Sequence, residues 1–132
     1  MNSPRFFVAV FGDPQQPRKS LVESGEYDPD PRYPFPTSPG DLMLLYCTSS
    51  YSGRSMQIPG VGVVLSTDNE WVRYRYLPFT VPIPKSRIDA AFDPIDLDKF
   101  RNIRFSSHWL FEITRISFAN TIANQQVDWP NV

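Results

Sequence analysis

Cysteine and histidine are all but missing: the 132-residue chain has Cys47 and His108 and no other residue of either kind. One cysteine excludes an internal disulfide framework, and one of each cannot build a His/Cys zinc site. No apolar run nears the roughly 18–20 residues that span a membrane. The opening Met-Asn-Ser-Pro-Arg lacks the apolar stretch of a signal peptide. The expectation is a soluble, cytoplasmic protein with no membrane partner. Excess charge is lacking too. A formal net charge of -1 argues against coating nucleic acid through bulk charge, while leaving room for a few local phosphate contacts. There is no Walker loop and no dinucleotide fingerprint, and Ser52-Gly53 is not set in a nucleophile elbow. No internal repeat is visible, and no cofactor is expected.

What the chain does have is proline, 14 in all, about twice average usage. Many prolines mean short elements and few long helices. The length suits one domain over residues 1–132, large enough to bury a core without metals or disulfides. Phe6 to Phe11 (FFVAVF) is a short apolar run between Pro4 and Gly12-Asp13-Pro14 and predicts a buried strand. Residues 14–39 carry seven of the prolines and predict a long ordered loop with one turn of helix near Lys19 to Glu23; loops of that length are functional or mobile. Pro39-Gly40-Asp41 predicts a turn, because Pro presets φ and Gly supplies positive φ.

Leu42 to Cys47 follows as a strand, residues 48–59 as a polar loop, and Val61 to Leu65 as another strand, with Gly62 permitting a bulge or close backbone approach. Ser66 to Glu70 reads as a hairpin loop. Trp71 to Val81 alternates: Val72, Tyr74 and Tyr76 share one face, Arg73 and Arg75 the other, and Pro78 marks an edge or bend. Helices are expected over Pro84 to Phe92 and Ile95 to Phe100. Trp109 to Ile113 predicts a sixth strand. Thr114 is an N-cap for a helix over Ile116 to Ala123, with Phe118 and Ile122 four apart. Strands predominate and hairpin-length links are common. The predicted class is α+β: a small, mostly antiparallel β-barrel with two or three short peripheral helices.

Chemistry finds little foothold in this pattern. A thiolate beside an imidazole is a sound nucleophile, but nothing in the sequence brings Cys47 and His108 together, and Cys47 reads as a small buried hydrophobe. Glu112 sits in an apolar strand and faces outward by alternation. Catalytic residues are therefore not expected, and neither is a metal. Binding has more to draw on. The chain holds 3 Trp, 6 Tyr and 10 Phe, and Tyr51, Trp71 and Trp109 stand in polar, loop-flanking contexts. A flat base is held by stacking between aromatic faces with hydrogen bonds to its edge. The loop after Tyr46 and the segment FSSHW supply aromatics and hydroxyls of that kind.

The order of these motifs resembles the EVE domain, a PUA-like family related to YTH domains. The carrying segments are "FFVAV", "PGDLMLLYCTSSYSG", "PGVGVV", "YRYLPFTVPI" and "HWLFEITRISF". Each alone is weak; together, in order, they cover about the whole chain. The resemblance implies a small barrel with a central pocket that binds nucleic acid and reads a modified base. Carried over residue by residue, it lines that pocket with Gly12 and Asp13; with Tyr46, Thr48, Ser49, Ser50 and Tyr51; and with Phe105, Ser106, Ser107, His108 and Trp109. Arg54, Arg73 and Arg104 become the candidates for phosphate contact. The chain departs from the family between the first two strands, where a helix-containing segment is usual and residues 14–39 are Pro-rich instead.

The expected function is a non-enzymatic nucleic-acid-binding module, with modified DNA or RNA as one partner and a separate effector protein as another. The alternatives are a small-molecule-binding or hydrolytic enzyme of PUA-like fold, and a protein-interaction module docking through the Pro-rich loop.

Overall fold

The computed structural model describes residues 3–12, 21–27, 37–51, 53–68, 71–102, 110–125 and 127. Six strands, three α-helices and one 3-10 turn make up the described chain. The strands are β1 (Phe6–Phe11), β2 (Glu26–Tyr27), β3 (Leu42–Cys47), β4 (Gln57–Thr67), β5 (Val72–Pro84) and β6 (Leu110–Ile113). The helices are α1 (Lys85–Ala91), α2 (Pro94–Arg101) and α3 (Arg115–Ile122), and the 3-10 turn covers Val22–Ser24.

The strands form one sheet in the order β2-β5-β4-β3-β1-β6. Its one parallel pair is β1 with β3, in register Phe6↔Leu42 to Phe11↔Cys47. The other four pairings are antiparallel. A parallel pair needs a long crossover, and the chain between Phe11 and Leu42 provides it. That is the use to which the proline-rich stretch is put, although 13–20 and 28–36 lie outside the described residues. The expected barrel is realised as a mixed sheet curled into a half-barrel. Tyr27 at one end of the strand order reaches β1 near the other: its hydroxyl donates to the Val10 carbonyl at 2.9 Å and its ring lies 4.8 Å from that of Phe11.

Two cores lie on the two faces. The concave face holds Phe7, Ala9, Phe11, Met43, Leu45 and Cys47, closed by Val22, Tyr27, Tyr51, Val64, Val72 and Tyr74. The convex face holds Val8, Val10, Leu44 and Tyr46 under Ile88, Phe92, Phe100 and Phe118 of the helices and their links. β1 and β3 are thus covered on both sides, which is why FFVAVF and LMLLYC are continuous apolar runs rather than alternating ones. β5 alternates because only part of it is covered on both faces. Residues 78–83 of β5 lie against residues 58–60 of β4, so β5 bulges there and swings Phe79 into the helix-side core.

The turn at Pro39-Gly40-Asp41 forms as expected. Gly40 has φ +93, and the buried Asp41 carboxylate accepts from the amides of Ser38 (2.7 Å) and Arg5 (2.9 Å), pinning the start of β3 to the approach to β1. β4 is longer than its apolar centre indicated, since Gln57, Ile58, Ser66 and Thr67 pair with β5 as well. α2 starts at Pro94 behind an Asp93 cap, and α3 starts behind Thr114, whose hydroxyl accepts from the Ser117 amide at 3.3 Å. Among the described residues no helix is long and apolar enough to cross a membrane.

Candidate functional site

The candidate site is the concave interior of the sheet and the loop at its mouth. β3 runs out at Cys47, and the Thr48 amide donates to the Phe11 carbonyl at 2.9 Å, extending the parallel ladder one step past the strand. Thr48 is buried, its hydroxyl 2.9 Å from that of Ser50. The Tyr51 amide then donates to the Thr48 carbonyl, and the Met56 amide to the Cys47 carbonyl, so the loop turns back tightly onto β4. Ser49 and Ser50 face solvent. The switch from apolar to hydroxylated residues marks the point at which the chain leaves a two-sided core.

Tyr51 does not stay in the loop. Its ring folds into the interior, 2 % exposed, and its oxygen accepts from the Val22 amide at 3.1 Å. From β5 the Tyr74 hydroxyl donates to the Val22 carbonyl at 2.5 Å. Both polar groups of one peptide-chain residue are therefore held by tyrosine hydroxyls inside the curl, with Val22 itself fully buried. Next to it, Glu23 forms an ion pair with Arg54 of the loop. Burial pushes the Tyr51 and Tyr74 hydroxyls above the ordinary phenol range, the Val22 bond offsetting part of this at Tyr51. Both stay neutral and free to donate or accept.

The sequence-derived pocket residues separate into groups. Gly12, Thr48, Ser49, Ser50 and Tyr51 do gather at the ends of β1 and β3. Tyr46 lies on the other face: its ring meets Phe100 edge-on at 4.9 Å, in the helix-side core, and burial pushes its hydroxyl to about 12. Successive residues of a strand face opposite ways, so Tyr46 shares no pocket with Cys47 and Tyr51. Arg54 is at the loop, paired with Glu23. Arg73 lies opposite Ser66, at the far end of the β4–β5 ladder from Gln57. It pairs with Asp68 at 2.5 Å and approaches Glu26 at 3.8 Å. Asp13, Arg104, Phe105, Ser106, Ser107, His108 and Trp109 lie outside the described residues.

Cys47 is a core thiol. It is fully buried, and burial pushes it to about 12, with Arg54 lowering and Glu23 raising it in smaller measure. A thiol held there carries no thiolate at neutral pH. Among the described residues no cluster of three or more His, Cys, Asp or Glu is placed to hold a metal ion.

Phe11, Val22, Tyr27 and Tyr74 are among the interior residues not singled out as site residues from the sequence. Tyr74 was readable as a member of the Val72-Tyr74-Tyr76 face, and that face is the concave one. Val22 and Tyr27 gave no signal, since they sit among prolines with no periodicity to follow.

Among the described residues, surface clefts also lie elsewhere. One of about 430 Å³ runs between Arg5, Lys99, Glu112 and Arg115. Its charges are largely satisfied within: Arg5 grips the Glu112 carboxylate at 2.7 and 3.0 Å, and Lys99 donates to the Glu112 carbonyl at 2.9 Å. Another, about 420 Å³, lies between α1 and the end of α3, beside Arg87 and Asn124. No family model, curated protein or solved structure matches this chain. The fold and the mouth thus define it as an α+β domain with a curled mixed sheet and an aromatic interior.

Proposed function

We propose that the chain is a PUA-like, EVE-type nucleic-acid-binding module that holds a modified base in its aromatic interior and does no chemistry on it. One observation supports this most directly. Phe11, Tyr27, Tyr51 and Tyr74 are packed in the core on the concave side of the sheet, the Phe11 ring 4.8 Å from that of Tyr27 and 6.5 Å from that of Tyr74, and a hydroxyl-rich loop forms its rim. A base needs flat apolar surfaces for its faces and a few adaptable hydrogen bonds for its edge, and buried tyrosines offer both. The order of sequence motifs that resembles the EVE family supports the same reading. Arg54 is the cation at the rim, and it would exchange Glu23 for a phosphate. With a net charge of -1, few phosphate contacts are available. The logarithm of affinity should therefore fall only gently with the logarithm of salt, by about 0.7 for each contact on a single strand.

The test is a titration with short oligonucleotides, single- and double-stranded, at two salt concentrations. The set holds unmodified strands and strands with methylated cytosine, hydroxymethylated cytosine or methylated adenine. The expected outcome is salt-sensitive binding that prefers one modification. Tyr51→Ala should weaken it by about 1–3 kcal/mol, the usual worth of an aromatic stacked on a base, while Tyr51→Phe keeps the ring and most of the affinity. Absence of binding to every strand at low salt would overturn the reading.

A further inference from the structure

Tyr46 is fully buried in the helix-side core, its ring edge-on to that of Phe100. Its hydroxyl nevertheless has one hydrogen-bond partner among the described residues, and that partner is a thioether: it donates to Met56 Sδ at 3.5 Å. Met56 itself is 39 % exposed. One side chain thus joins solvent to a hydroxyl inside the core. A thioether is a weak acceptor, and it is also the group that oxidants convert to a polar sulfoxide. We propose that Met56 is an oxidation site of this domain, that a peroxide turns its thioether into the sulfoxide, and that the buried Tyr46 hydroxyl reads the change by moving its hydrogen bond from the sulfur to the new oxygen.

The backbone of Met56 is held on both sides. Its amide donates to the Cys47 carbonyl and its carbonyl accepts from the Lys85 amide, both at 2.9 Å. The residue is therefore tied to the end of β3 and to the start of α1 at once. Its φ is +63, in the left-handed region that few non-glycine residues occupy. A residue held in this way has little freedom to withdraw as a whole, so the response to oxidation falls to its side chain. Methionine suits that response. It is unbranched and freely rotatable, and it can turn an oxygen on sulfur toward a hydroxyl that the sulfur already meets. Burial pushes the Tyr46 hydroxyl up to about 12, which keeps it protonated and able to donate at neutral pH.

In the reaction a sulfur lone pair attacks one oxygen of hydrogen peroxide. The S–O bond forms as the O–O bond breaks, and the proton on the transferred oxygen passes to the departing hydroxide, which leaves as water. Sulfur is oxidised by two electrons and the peroxide is reduced by two. Burial makes the site selective. Met43 is fully buried, and the buried Cys47 carries no thiolate at neutral pH, so neither competes for the oxidant. Met1 lies outside the described residues, and Met56→Leu separates its oxidation from that of Met56.

The test treats the whole chain with dilute hydrogen peroxide, follows each methionine by mass spectrometry, and compares thermal melts before and after. Wild type, Met56→Leu and Tyr46→Phe are run together. Met56 should oxidise roughly tenfold faster than Met43, since susceptibility follows exposure. Oxidation should lower the Tm of Tyr46→Phe by about 3–5 °C more than that of wild type, the worth of one hydrogen bond in a domain of this size. The Tm of Met56→Leu should not change, and a methionine sulfoxide reductase should restore the starting Tm of the other two. The Tyr46 Cζ resonance of wild type senses the partner of its hydroxyl; it should shift on oxidation, and it carries the test if Tyr46→Phe fails to fold. Met56 oxidised no faster than Met43 would overturn the site. Equal Tm changes in wild type and Tyr46→Phe, or a Tyr46 resonance that does not move, would overturn the hand-over to the new oxygen.

Discussion

Gly60 has no room for a β-carbon. One placed there would stand 2.5 Å from the Leu77 carbonyl oxygen and 2.9 Å from the Pro78 Cα, both backbone atoms of the neighbouring strand. At Gly62 the nearest atoms are side-chain ones, Tyr74 Cδ2 at 2.8 Å and Met43 Cε at 3.2 Å. Rings and thioethers turn aside more cheaply than a paired strand does. Gly60→Ala is therefore expected to cost about 2–3 kcal/mol and Gly62→Ala about 1 kcal/mol, a ranking that urea denaturation of the two variants checks. Equal losses would mean that β5 shifts as freely as the Tyr74 ring. The glycines in PGVGV are placed by what packs over them, and the sequence flagged the close approach at Gly62 without showing what approaches.

At the scale of elements, one carboxylate joins two helices. Asp96 belongs to α2, yet its Oδ2 accepts from the Thr114 amide (2.8 Å), the Thr114 hydroxyl (2.7 Å) and the Ser117 hydroxyl (2.6 Å) at the start of α3. Burial raises the Asp96 pKa, but the bonds from Ser117 and Thr114 outweigh it and hold the carboxyl below its ordinary 3.8. A depressed folded pKa contributes stability that is fully present above the unfolded value and is lost as pH falls through the folded one. The domain should thus lose stability below about pH 4, and Asp96→Asn should flatten that acid limb while costing about 1.5–3 kcal/mol at pH 7, the range for hydrogen bonds to a charged group. Thermal melts of both proteins between pH 3 and 7 test this; parallel curves would mean that Asp96 is not the titrating link. The Thr114 cap was legible from the sequence. The bridge from α2 was not, because its partners are about twenty positions apart and share no motif.

At the scale of the molecule, the curl depends on contacts that cross the sheet. Tyr27 reaches from β2, next to β5 at one end of the strand order, to Val10 of β1 near the other. Tyr27→Phe removes only the buried hydroxyl bond and is expected to cost about 1 kcal/mol; Tyr27→Ala removes the ring that closes the concave core and is expected to cost about 3–5 kcal/mol. Denaturation midpoints with unchanged m-values would report this as lost stability rather than an altered denatured state. β1 also lies between β3 and β6, pairing Phe6 with Leu42 on one side and with Ile113 on the other. The sheet is therefore complete only when distant parts of the chain have met. Such non-local pairing folds slowly for its size.

The sequence by itself determined what short-range physics can settle. Two-sided burial made β1 and β3 apolar throughout, alternation marked β5, Pro39-Gly40-Asp41 made a turn, and Asp93 and Thr114 start helices, all from residues within a few positions of one another. Tertiary structure decided the rest: that β1 and β3 run parallel, that Tyr46 packs under the helices while Tyr51 turns inward, that Arg54 and Arg73 already have carboxylate partners, and that Val22 lies between two tyrosines. Each of these depends on which distant segment arrives opposite. A local pattern fixes the period of a strand and not the neighbour that will cover it.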